Sequence, residues 1–185
     1  MRFFISVLFA MSPGVALACA CCADKGERMY HDQEIGDYEY SELTTIGAQG
    51  RAHVFTTACD DCVEGIVNMQ YDYPVHLIVD NNEVWIVLGE GSRISLPLPQ
   101  SYTRFAVDMD PTKDGPPGLL FNEVRFKGTL NAHGDFAAAN GAEGEFILTG
   151  RSNACWNAAD FTHWSLDAKG EGVDFRLFGG VAVVQ

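Results

Sequence analysis

The chain reads as an all-β protein, a single antiparallel β-sandwich or barrel, and three observations predict it. Val75-His-Leu-Ile-Val79 and Val84-Trp-Ile-Val-Leu88 flank Asp80-Asn81-Asn82-Glu83. Asparagine tolerates positive φ, so Asn81-Asn82 can fold the two β-branched arms into a tight hairpin. Short apolar or alternating segments then recur along the rest of the chain, roughly nine to eleven of them at about 10–15-residue spacing. Finally, 19 glycines and 11% aromatic residues suit a sheet with many tight turns better than a helix bundle. The hairpin arms carry unbroken apolar runs rather than clean alternation, which predicts cover on both of their faces.

The N-terminal stretch reads as an export signal, residues 1–18. Arg2 supplies the positive end, Phe3–Met11 the short apolar core, Pro13-Gly14 a breaker and Ala16-Leu17-Ala18 the small-residue cleavage site. The mature protein is therefore expected to begin at Cys19, outside the cytoplasm, in a periplasm or the extracellular space. Lipidation of Cys19 is the less favoured alternative, because Leu17 sits one position too close for a lipobox. No segment approaches the ~18 continuous apolar residues of a transmembrane helix.

Residues 19–37 are small and polar and read as an irregular, cysteine-rich segment, followed by the β domain over 38–185. Tyr38–Ile46 and Ala52–Ala58 read as strands joined by a turn at Gly47-Ala48-Gln49-Gly50. Pro74 opens the central hairpin, since it cannot donate to a ladder. Ile94–Pro99 follows as an edge or crossing strand. Phe105–Met109 alternates, with Phe105 and Val107 on the apolar phase, and Asp110–Gly118 is the longest loop. Val124–Leu130 places Arg125, Lys127 and Thr129 on a wet face. Phe146–Thr149, Phe161–Leu166, Val173–Phe178 and Val181–Val184 complete the strands.

A formal charge of −13 opposes binding to phosphate backbones, so nucleic acid is not an expected partner. The six cysteines are Cys19, Cys21, Cys22, Cys59, Cys62 and Cys155. In an exported chain all six are disulfide candidates. Thiolates in this pattern also suit a soft ion: Cys21 and Cys22 together with the C-x-x-C pair Cys59 and Cys62 would make a four-thiolate site for copper or zinc. Cys19, His31 and His53 are candidate additions.

Thiol–disulfide exchange at Cys59-Asp60-Asp61-Cys62 is a weaker alternative, because two carboxylates between the thiols raise their pKa and disfavour the reactive thiolate. The acidic run Asp108–Gly115 lacks the turn glycine and bidentate glutamate of a calcium loop. Asp160 and His163 lie near Cys155-Trp156, but strand alternation turns Trp164 and Leu166 inward and His163 outward. No G-x-S-x-G or H-E-x-x-H occurs. The sequence thus favours an exported, non-enzymatic binding protein with a thiolate site for copper or zinc. The alternative is a disulfide-stapled β domain that binds a small molecule, glycan or protein partner.

Overall fold

Asn81 and Asn82 have φ of 49° and 61° and close the central hairpin as their side chains predict. The computed structural model describes residues 28–55, 72–108, 120–152 and 156–184, and for residues 28–31, 108 and 152 the backbone alone. Among the described residues strands make up 69% and helices 13%, and every strand pair is antiparallel.

The strands are β1 (Arg28–Glu34), β2 (Ile46–Phe55), β3 (Asp72–Asp80), β4 (Glu83–Leu88), β5 (Ser92–Pro97) and β6 (Ser101–Asp108). β7 (Leu120–Thr129), β8 (Asn131–His133), β9 (Glu143–Ser152), β10 (Phe161–Gly170) and β11 (Val173–Val183) complete the set. One helix, α1 (Asp37–Leu43), and 3₁₀ segments at Gly134–Ala139 and Ala158–Asp160 join them.

The ladder runs β1-β6-β7-β9-β10-β11-β2-β3-β4-β5-β8. Leu130 alone separates β7 from β8, so the pairings return to the strand they left and the circuit closes as in a barrel. β1 and β6 extend the sheet beyond β7, outside that circuit. Small residues make the closure possible. Gly128, Gly144 and Ala168 lie abreast on β7, β9 and β10. A Cβ on Gly144 would overlap Leu130, and one on Gly128 would press on Leu96 of β5 at 3.1 Å.

The interior is filled by rings. Phe161, Trp156, Tyr102, Phe126, Phe146 and Trp164 form a continuous series with centroid separations of 5.1–6.4 Å. Phe136, on the first 3₁₀ segment, is fully buried between Tyr73 and Phe175, 5.5 and 5.4 Å away. Outside, charged side chains pair: Arg125 with Glu123 along β7, and across strands Arg125 and Lys127 with Glu145 and Arg176 with Asp167.

Several sequence expectations change. Tyr38–Leu43 is helix, because Glu39 reaches back to the Gly36 N–H at 3.1 Å and Leu43 needs the core. Gly47–Gly50 is not a turn: β2 runs through it as one strand, with Gly50 at φ 77° beside a register shift against β11. Arg28–Glu34, part of the segment expected to be irregular, pairs with β6 as an edge strand. The central hairpin is covered on one face only: Val75, Leu77, Val79, Val84, Ile86 and Leu88 are buried, whereas Ile78 is 49% exposed. In β6 the phase is inverted, with Tyr102, Arg104 and Ala106 facing in and Phe105 and Val107 only half-buried.

Candidate functional site

The six cysteines, residues 1–18 and residues 110–118 lie outside the described residues. Strand register nevertheless fixes where the chain leads toward the cysteines. Arg28 pairs with Val107, Val107 with Phe121 and Phe121 with Arg151. The segment bearing Cys19, Cys21 and Cys22 and the segment bearing Cys155 therefore join the sheet at one end. Cys59 and Cys62 fall between Phe55 and Asp72, and Phe55 pairs through Arg176 and Asp167 to Glu145. Six residues of β9 separate that level from Arg151, roughly 20 Å of strand.

His31 lies on β1 opposite Arg104. His53 lies on β2, half-exposed, its ring tilted against Phe178 at 5.6 Å and its Nδ1 3.8 Å from Asp72. Among the described residues no group of three or more His, Cys, Asp or Glu is arranged to hold a metal. His163 faces outward beside Thr162 Oγ1 at 2.9 Å, while Trp164 and Leu166 are buried, as alternation predicts.

Two arrangements emerge that the sequence did not single out. The first is a buried polar chain between β1, β6, β7 and the segment after residue 155. The Trp156 indole donates to the Tyr102 hydroxyl at 2.7 Å, and that hydroxyl donates to Gln33 at 2.6 Å. The Tyr38 hydroxyl donates to the Trp156 carbonyl at 2.8 Å, and Glu42 accepts from the Ala158 N–H at 2.7 Å, so α1 clamps this segment. Next to Tyr102, Arg104 is only 4% exposed and donates to Asn122 Oδ1 at 3.1 Å. Burial raises the Tyr102 pKa, partly offset by the Trp156 hydrogen bond, and lowers that of Arg104. Inverted alternation in β6 was the available signal: an arginine flanked by Tyr102 and Ala106 on one phase.

The second arrangement is the outer face of β3, β4 and β5. Ile78 stands opposite Trp85, and His76, Val87, Arg93 and His133 form the adjacent cross-strand row. The Arg93 guanidinium lies 5.8 Å from the Trp85 ring centre. Around the closure, a groove of about 450 Å³ between Lys127, Glu143, Asp167 and Lys169 carries mixed charge.

Comparison of the chain with protein-family models, with curated proteins and with solved structures finds no match. Function must accordingly be argued from the side chains themselves.

Proposed function

We propose that the chain is a non-enzymatic binding protein acting outside the cytoplasm, whose β domain takes a protein partner on the outer face of β3, β4 and β5. The observation that carries this reading is an isoleucine 49% exposed on β3, opposite a half-buried tryptophan of β4 that is itself paired with Ser95 of β5. Apolar side chains gathered on an exposed face mark contact surfaces, and here Trp85 and Val87 lie beside Ile78 on that face. The neighbouring row adds Arg93 between two histidines on a chain of net charge −13, which suits a segment mixing apolar and acidic side chains. A sugar fits less well, because Arg93 already covers the Trp85 ring and the most exposed group is aliphatic.

Selection of a displayed peptide library against the folded protein tests this. Enriched peptides should be acidic and apolar, and should lose binding to Ile78→Glu and Arg93→Glu. Peptides that bind these variants and the parent equally would refute the reading. A dimer dispersed by Ile78→Glu in sedimentation would replace it with self-association.

A second reading, a thiolate site for copper or zinc, is favoured by the cysteine spacing. Its candidate ligands are Cys21, Cys22, Cys59 and Cys62, with Cys19, His31 and His53 as additions. Elemental analysis and a thiol count on natively exported protein decide it. About one copper or zinc per chain, lost in Cys21→Ser with Cys59→Ser, supports the site. Metal-free protein with every cysteine oxidised leaves a stapled domain instead.

A further inference from the structure

We propose that one water molecule is an integral part of the fold, held between Asn122 of β7 and Asp160 of the second 3₁₀ segment. Two buried polar atoms point to it. Asn122 is 6% exposed and its Oδ1 is taken by the Arg104 guanidinium, which turns its Nδ2 away as a donor. That Nδ2 has no protein acceptor, and the buried Asp160 Oδ2 has no protein donor. Both residues line the same small cavity, about 10 Å³, with Arg104, Val124, Trp156 and Phe161.

An unmatched buried donor and an unmatched buried acceptor each cost free energy, and native proteins rarely leave both without a partner. The cavity has room for one water and little else. Arg104, Glu123 and Asp160 all stand at its wall, Glu123 already paired with Arg125, and a neutral molecule that accepts from Asn122 and donates to Asp160 satisfies both unmatched atoms. The bridge ties the segment Trp156–Asp160, whose tryptophan already donates to Tyr102, to the sheet.

A crystal structure at a resolution that orders solvent, together with water–protein NOE measurements in solution, tests this. Density should sit within hydrogen-bond distance of Asn122 Nδ2 and Asp160 Oδ2. The Asn122 amide protons should show the NOE sign of a water that outlasts molecular tumbling, and Asp160→Leu should abolish it. Singly and together, Asn122→Ala and Asp160→Ala should be non-additive in the folding equilibrium constant by about fivefold. A direct Asn122–Asp160 hydrogen bond with no density between them would overturn the proposal. So would a short-lived NOE, which reads out on the unmutated protein even where a variant does not fold.

Discussion

Replacing Phe136 by alanine tests the claim that one ring on a short 3₁₀ segment completes the interior. Phe136 is fully buried and packs on Tyr73 from β3 and Phe175 from β11. Truncating a buried phenylalanine costs about 3–5 kcal/mol, since transfer energy is lost and a cavity remains. For a domain of this size each kcal/mol lowers Tm by about 2–4 °C, so a fall of roughly 6–20 °C is expected. Phe178→Ala is the control: that ring is 40% exposed and packs against the half-exposed His53 ring, so its loss should cost about 1 kcal/mol. Urea denaturation followed by tryptophan fluorescence reads both, provided the m-values agree. Equal midpoints for the two variants would show that Phe136 does not fill the interior as described.

Gly150→Ala should cost at least about 1–3 kcal/mol in the same assay, because the new Cβ would overlap the Asp160 carbonyl and backbone must move; an unchanged midpoint would contradict the close approach of β9 to that segment. Tyr102→Phe should lose about 1–3 kcal/mol, leaving the buried Trp156 indole without its acceptor. The parent protein should be less stable above pH 10. Burial raises the folded-state pKa of Tyr102, so the folded form keeps a proton that the unfolded form sheds, and stability falls as pH climbs from about 10 through the raised value. Tyr102→Phe should flatten that decline, and an identical alkaline slope in both proteins would remove Tyr102 as its source. Ile78→Glu should shift the midpoint by no more than about 0.5 kcal/mol, its side chain being largely in water; a large loss would mean that the outer face is structural.

Much of the fold was legible because the signals were local. Asn81-Asn82 announced its hairpin, and the apolar segments Phe146–Thr149, Phe161–Leu166 and Val173–Phe178 mark strands that form as β9, β10 and β11. What stayed hidden depends on distant partners. The sequence of α1 is rich in tyrosine, a strand former, and becomes helical through a cap at Gly36 and bonds to residues beyond position 155. β6 buries Arg104 in place of Phe105 because Asn122 and Tyr102 lie beside it, which no window on β6 alone can reveal. The outer-face residues of the hairpin were visible as an apolar run, and that run was taken for two-sided burial when half of it faces outward. The cysteine pattern was plain in the sequence, and strand register adds the level at which each cysteine-bearing segment joins the sheet.

The pairing of β2 with β11 has a consequence for how the chain reaches this state. Ile46 finds its partner in Val183, at the opposite end of the sequence, and Arg176 meets Phe55. While the chain is being synthesised, β2 lacks that neighbour until residues 176–183 have been added, and the ring of ladders cannot shut before then. Loop closure of that length is slow and leaves little native structure to form early. Were the chain exported as proposed, the same topology that seals the barrel would keep it open during transit.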